Sequence, residues 1–384
     1  MSYFDNAATS YPKPDEVYSV LIDTMKNKGG NPGRGSHRMA IDAFRAVYET
    51  RVKLAKLFNI DEPLRIAFTQ NATVSLNFAI KGTLEKGDHV VTTSLEHNSV
   101  LRPLFSMEDR KGVELTVVET DSQGRISLDD IDNAVRKNTR AIVITHASNL
   151  TGTVIPLEKV GKIAKKHDLL FVVDASQSAG VIEIDVEDMN IDILCFTGHK
   201  SLFGPQGTGG IYLREGVEIE PLMEGGSGSH SKLRRQPKEM PDLLECGTLN
   251  APAIAALGAG VDFIIKTGME NIRRHENELT ETFIKGLRTI EGIKIYGPET
   301  GERTPVVAIN IWDVDPSEVS SLLEEEYDIA VRPGMHCAPL AHRSIGTYET
   351  GAVRFSFGYF NKMEEILHAV ESIREIANFY GDKG

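Results

Sequence analysis

Leu169-Leu170-Phe171-Val172-Val173-Asp174 is an apolar run closed by a carboxylate. A strand that is apolar at every position has both faces covered, the condition of a central strand in a parallel sheet. Outward from it, between about residues 60 and 215, short β-branched runs alternate with longer helical patterns. That alternation predicts βαβ units and a mainly parallel sheet. Strands are expected over 65–69, 89–93, 113–118, 141–145, 169–173, 191–196 and 210–213. A helix is expected to start near Leu157, where Pro156 suits the entry, and to close on Ala164-Lys165-Lys166-His167. Residues 217–250 break the pattern with Glu224-Gly225-Gly226-Ser227-Gly228-Ser229-His230 and read as a long loop. One helical pattern over 251–289 follows, then a strand at 306–311, a helix at 316–326 and a terminal helix from Lys362. The expected organisation is an N-terminal segment (1–14), a large α/β domain (15–260) and a smaller α+β C-terminal domain (261–384). The N-terminal segment is expected to pack on the smaller domain.

The chain has 384 residues and a formal net charge of −13. Broad electrostatic attraction to nucleic acid or an anionic membrane is therefore not expected, and an anionic ligand needs a local positive pocket. No apolar run approaches the ~20 residues of a spanning helix, and no basic-then-apolar leader follows Met1, so a cytoplasmic location is expected. Three cysteines stand at 195, 246 and 337 without a C-x-x-C pair, which argues against a disulfide framework or a metal site.

Ligands of open α/β sheets bind beyond the carboxyl ends of the strands. Those ends carry Asn71-Ala72-Thr73, Glu96-His97-Asn98, His146-Ala147-Ser148-Asn149, Asp174-Ala175-Ser176-Gln177 and Thr197-Gly198-His199-Lys200. Taken singly, most are ordinary turn or cap residues. Asp174 is harder to dismiss, because a carboxylate ending a buried strand needs a partner. Lys200, following Ile193-Leu194-Cys195-Phe196, is either snorkelling or chemically employed. Pyridoxal phosphate answers both: a carboxylate keeps its ring nitrogen protonated and a lysine amine carries its aldehyde. Backbone N–H groups at the helix start after Ala72-Thr73, with Thr197 and His199, would then hold the phosphate.

On these motifs the sequence resembles the class V branch of fold-type I pyridoxal-phosphate enzymes, and within it the cysteine desulfurases. The likeness covers nearly the whole chain. It is carried by Phe4-Asp5-Asn6-Ala7-Ala8-Thr9, Glu96-His97-Asn98, Thr145-His146-Ala147-Ser148-Asn149 with Gly152-Thr153, and Val173-Asp174-Ala175-Ser176-Gln177. Further on come Gly198-His199-Lys200, Gly247-Thr248, Arg332 through Cys337, and Arg354-Phe355-Ser356. The resemblance implies that His97 stacks on the cofactor ring and serves in acid/base steps, that Asn149 and Gln177 flank the ring, and that Asp174 pairs with its nitrogen. It implies that Lys200 links to the aldehyde and that Ala72, Thr73, Thr197 and His199 hold the phosphate. Thr248 would reach in from the other subunit of a homodimer. Arg354 would clamp the substrate carboxylate, with Arg332 and Asn149 beside it.

Cys337 lies in Val331-Arg332-Pro333-Gly334-Met335-His336-Cys337-Ala338-Pro339, which reads as a loop. A free cysteine is commonly a small buried residue, and Cys195, inside an apolar strand, is read that way, as is Cys246. Cys337 differs, because cationic neighbours, Arg332 and His336, would favour its thiolate. The segment resembles the short-loop, group II desulfurases with their R-x-G-H-H-C-A pattern. Met335 stands in place of the first His, and Pro333 is a second variation. Ser201-Leu202 before Phe203-Gly204-Pro205 is one residue longer than the common H-K-x-x-G-P, and Lys362 follows Asn361 where the family often has Thr. The implied activity converts L-cysteine to L-alanine, with a persulfide on Cys337 and sulfur passed to an acceptor protein. Rival readings are a selenocysteine lyase, an aminotransferase or lyase of another cysteine derivative with a structural Cys337, and a non-catalytic sulfur-transfer scaffold.

Overall fold

The computed structural model describes residues 1–33 and 35–382. The chain runs through β1 (Ser2–Tyr3), α1 (Asp15–Asn27), α2 (Arg38–Leu57), β2 (Ile66–Thr69), α3 (Ala72–Thr83), β3 (His89–Thr93), α4 (Asn98–Lys111) and β4 (Glu114–Val118). It continues through α5 (Leu128–Asn133), β5 (Thr139–Thr145), α6 (Leu157–Lys166), β6 (Leu170–Asp174), β7 (Ile193–Thr197), β8 (Gly209–Leu213), α7 (Ala251–Thr267) and α8 (Met269–Leu287). The remaining elements are β9 (Ile293–Tyr296), β10 (Val306–Ile311), α9 (Pro316–Tyr327), β11 (Ile329–Ala330), β12 (Arg332–Gly334), α10 (Pro339–Ser344), β13 (Ala352–Ser356) and α11 (Met363–Gly381).

Seven strands form one sheet in the order β2-β8-β7-β6-β5-β3-β4, parallel throughout except for β8, which is antiparallel to both neighbours. The expected fold class, a mainly parallel central sheet, is what the chain adopts. Strand β6 is central and buried, with Phe171 and Val173 in one apolar cluster and Val172 in another. This is why the stretch carries no polar alternation: each side chain removed from water contributes roughly 1.5–3 kcal/mol whichever face it takes. The parallel direction gathers the carboxyl ends of β3, β5, β6 and β7 along one edge, beside the amino end of α3.

A second sheet, β12-β13-β10-β9, is antiparallel and packs against α8 and α11 through residues including Leu279, Phe283, Val307, Ile309, Ile366 and Ile373. The start of the chain joins this part. Ser2 pairs with Ile329 and Tyr3 with Ala330, and the Phe4 ring sits edge-on to Phe357.

Two expectations need correction. The helical pattern over 251–289 is two helices, α7 and α8, bent by 82° at Gly268, whose φ of +86° a residue with a side chain rarely adopts. Helix α7 packs on α1 and α2, whereas α8 packs on α11, so the apolar period runs through a corner. The segment 331–339, expected to be all loop, begins as strand β12. Its Pro333 is tolerated because β12 is the edge of its sheet.

The stretch between β8 and α7 is loop, as expected. Its end is tied down by a buried two-pronged pair, Arg51 Nη1 and Nη2 to Glu245 Oε1 and Oε2 at 2.9 and 3.1 Å. Glu245 Oε1 also accepts from the Phe68 amide at 2.6 Å.

Candidate active site

At the gathered strand ends lies a cavity of about 170 Å³. It is lined by Ala72 and Thr73 from the first turn of α3, His97 before α4, Asn149 after β5, Asp174 and Gln177 at and after the end of β6, and Thr197, His199 and Lys200 at and after the end of β7. These nine were named from sequence. Ser99, Thr145 and Ser176 also line the cavity, and no role was read for them from sequence. Ser176 could have been found, because Asp-x-Ser after a strand is the pattern of a side chain bonding two residues on. A larger groove of about 1080 Å³ runs along α8 and residues 297–303, so size alone does not select the site.

Asp174 is 2% exposed. Its Oδ1 accepts from the Ser176 amide at 2.9 Å and the Ser176 hydroxyl at 2.5 Å, while Oδ2 accepts no hydrogen bond among the described residues. Lys200 carries the opposing charge. Burial pushes its pKa down to about 8, assisted by Arg354 and Arg332 and opposed by Asp174. Near neutral pH a useful fraction of this amine is therefore unprotonated and nucleophilic.

His97 caps α4. Its Nδ1 accepts from the Ser99 amide at 3.0 Å, which puts the ring hydrogen on Nε2, and the Ser99 hydroxyl lies 2.8 Å from the same nitrogen. Burial, with the charges of Lys200, Arg332 and Arg354, lowers its pKa to about 4 against the pull of Asp174, so the ring is neutral. His199 is also neutral, lowered to about 4 by burial, Lys200 and Lys13. Asn71 caps α3 by accepting from the Val74 amide at 3.1 Å. The amides of Ala72 and Thr73 have no partner among the described residues and are free for an anion. Beneath the cavity, Glu96 is fully buried and its pKa is pushed up to about 8, so it is largely a neutral acid donating no charge to the site.

Arg354, on β13, is 1% exposed. Its Nη2 donates to Asp5 Oδ1 at 2.6 Å and its Nη1 to the Asn149 carbonyl at 3.1 Å. Arg332 is its direct cross-strand neighbour on β12 and has no acidic partner among the described residues. Two guanidinium groups opposite each other on one face repel unless an anion joins them. Thr248 does not line the cavity; Asn31 donates to its hydroxyl at 3.3 Å, and it borders a separate hollow with Phe68 and Cys246. Gln177 donates to the Ala7 carbonyl at 3.1 Å.

The half-buried Cys337 follows β12 in a turn closed by the Ala338 amide on the Met335 carbonyl at 3.0 Å. Both central residues are left-handed, His336 at φ +48° and Cys337 at +56°. Such a conformation costs on the order of 1–3 kcal/mol per non-glycine residue. The turn is held to the site by two hydrogen bonds of about 0.5–1.5 kcal/mol each. The Asn149 side-chain amide donates to the His336 carbonyl at 2.7 Å, and the Asn98 amide, a spare donor of α4, donates to the Cys337 carbonyl at 2.8 Å. One expectation fails here. His336 does not supply a positive charge to the thiol: it is buried, and its pKa is pushed down to about 3 by burial with Arg354, His342 and Arg332 against it. Cys195 is sealed in β7, where burial and Asp174 hold its thiol well above the usual range, an inert structural residue.

The donor set suits a flat group with an anion at one end and a ring nitrogen at the other. Free amides and His199, whose Nδ1 is buried without a partner, serve the anion; the open oxygen of Asp174 serves the nitrogen. The model of the class-V aminotransferase family matches residues 2–368.

The chain belongs to the class-V aminotransferases.

Within this family it is similar to a probable cysteine desulfurase of Methanothermobacter thermautotrophicus, 36% identical over 98% of this chain and 94% of the relative. It is also similar to a cysteine desulfurase of Haloferax volcanii, 30% identical over 97% of this chain and 89% of the relative. Among solved structures, the apo cysteine desulfurase of Thermococcus onnurineus NA1 superposes with a TM-score of 0.92 at 33% identity, covering 98% of this chain and 94% of that one.

Proposed function

We propose that this class-V aminotransferase family member is a pyridoxal-phosphate-dependent cysteine desulfurase that forms a persulfide on Cys337. The observation carrying the reading is a free thiol on a turn hydrogen-bonded to Asn149 and Asn98, next to a cavity lined by both Lys200 and Asp174. The relatives named above support the same activity. When bound, the cofactor supplies an aldehyde and an electron-withdrawing ring that together make the substrate's Cα–H acidic and its sulfur transferable.

The residues divide the work. Asp174 Oδ2 holds the proton at the ring nitrogen, and the Ser176 bonds fix the carboxylate that does so. Ala72, Thr73, Thr197 and His199 bind the phosphate. Arg332 and Arg354 orient the substrate carboxylate, and a carboxylate between them also relieves their mutual repulsion. Lys200 Nζ, with its lowered pKa, takes the α proton. His97, neutral with its hydrogen on Nε2, would sit beside the ring and offer that N–H as a hydrogen-bond donor. Cys337 thiolate takes the sulfur: the substrate C–S bond breaks, an S–S bond forms, and cysteine plus thiol becomes alanine plus persulfide. An acceptor protein or a thiol reductant then takes the terminal sulfur.

A homodimer completes the site in this reading, with Thr248 contributed to the partner's phosphate. Exposed apolar stripes at helical spacing support it: Tyr18, Ile22 and Met25 on α1, and Ile41, Phe44, Tyr48 and Val52 on α2.

The test is product analysis of the loaded protein with cysteine, selenocysteine and cysteine sulfinate. Equal alanine and sulfide from cysteine, lost in Cys337→Ala with cofactor absorbance kept, is expected. Undiminished sulfide from that variant would overturn the proposal.

A further inference from the structure

Behind the Cys337 turn runs a buried chain of hydrogen bonds that the proposed chemistry does not use. His336 Nε2 lies 2.9 Å from the Arg332 carbonyl, His336 Nδ1 lies 3.3 Å from His342 Nε2, and His342 Nδ1 lies 2.7 Å from the Thr347 hydroxyl. The two imidazoles are nearly parallel, with centroids 5.5 Å apart, and are 3% and 0% exposed. Carbonyls of Met335 and Thr347 also face His342.

The direction of the chain follows from its end. A carbonyl only accepts, so His336 Nε2 carries a hydrogen. In a neutral ring its Nδ1 is then a bare lone pair, which needs a donor, and His342 Nε2–H is that donor. His342 Nδ1 is bare in turn and accepts from the Thr347 hydroxyl. The opposite tautomer of His342 would set two lone pairs against each other. Burial keeps both rings neutral, with pKa values lowered to about 3 and 4, so the one-way order holds across the working range.

His336 is therefore fixed at its carbonyl by Asn149, at Nε2 by Arg332 and at Nδ1 by His342. It shares a peptide unit with Cys337, and both residues are left-handed. Releasing its ring releases the conformation that aims the thiol. We propose that His342, acting through His336 and oriented by Thr347, is a positioning residue for the Cys337 thiol in sulfur transfer. This rests on Cys337 being the acceptor of sulfur, as proposed above.

The test uses the cofactor-loaded protein and three readouts: sulfide formation from cysteine, exchange of the alanine α proton in heavy water, which needs Lys200 and no thiol, and the rate of Cys337 alkylation by iodoacetamide. His342→Leu removes the donor, whereas His342→Gln restores an N–H in the Nε2 position. The Leu variant is expected to lose on the order of 10- to 100-fold in kcat for sulfide with KM little changed, as misplacement of a reacting group does. Its Cys337 alkylation rate is expected to shift, its alanine exchange to stay near the parent's, and the Gln variant to recover most of the loss. A general structural role would instead lower all three readouts together. Equal behaviour of Leu and Gln variants, or parent-like sulfide formation and alkylation in Leu, overturns the proposal. If His342→Leu does not fold, Thr347→Val decides: slowed sulfide formation with alanine exchange retained supports it, and a parent-like rate overturns it. Should Cys337→Ala keep full activity, the desulfurase reading falls, while alkylation of the Leu and Gln variants still decides whether His342 positions the thiol.

Discussion

The cavity at the strand ends and the turn carrying Cys337 are held by different means. In the cavity the side chains lie on helix starts or within a few residues of the ends of buried parallel strands, so position follows closely from regular structure. The turn, between the edge strand β12 and the short helix α10, needs further anchors. It keeps two left-handed residues in place with donors borrowed from Asn98 and Asn149 and with a histidine chain beneath it. A rigid sheet suits chemistry on a bound ring, and a separately anchored turn lets a thiol be set without disturbing it.

The comparison can be broken most severely at its two ends. Lys200→Ala is expected to abolish the covalent cofactor link and to lower sulfide formation by about 10²- to 10⁴-fold. Alkylation of Cys337 in that variant should match the parent; a large change would mean that cavity and turn are not independent. Cys337→Ser is the mirror image, with sulfide formation down on the order of 10²-fold or more while the cofactor spectrum is kept.

Asn149→Ala cuts one of the two hydrogen bonds that join the two regions and leaves the His336 carbonyl unpaired, a loss of about 1–3 kcal/mol. Sulfide formation should fall about tenfold with cofactor loading only slightly weakened, readable as kcat against cofactor Kd. If loading falls as much as turnover, Asn149 belongs to the cavity alone.

The smallest expected effect is one of pH. Because burial lowers Lys200 to about 8, its free-amine fraction rises with pH and levels off above that value. Covalent uptake of cofactor by stripped protein should therefore rise about tenfold per unit at lower pH and flatten beyond 8. Asp174 favours the charged amine, so Asp174→Asn should move the bend to lower pH. A bend that stays put or moves upward would contradict the electrostatic coupling of the two groups.

Much of this was legible in the residues. Apolar runs ending in polar side chains gave the sheet edge, because in a parallel sheet all carboxyl ends fall on one side. Asp174 and Lys200 stood out because charges following buried strands need a reason. The turn was less readable. Adjacency suggested that His336 would charge the thiol's surroundings, yet a left-handed pair turns its ring inward, and no glycine marks those positions. Gly268 did signal a break, but the apolar period on either side masked it. The Arg354 to Asp5 pair joins residues 349 apart, a separation that no local pattern reports.

That last pair has a consequence for how the enzyme is made. Asp5 leaves the ribosome 349 residues ahead of Arg354, which β13 presents. The Arg354 guanidinium therefore cannot meet its carboxylate until the residues between them have been synthesised. A nascent chain that has already shaped the parallel sheet, whose last strand ends at Leu213, still lacks this connection.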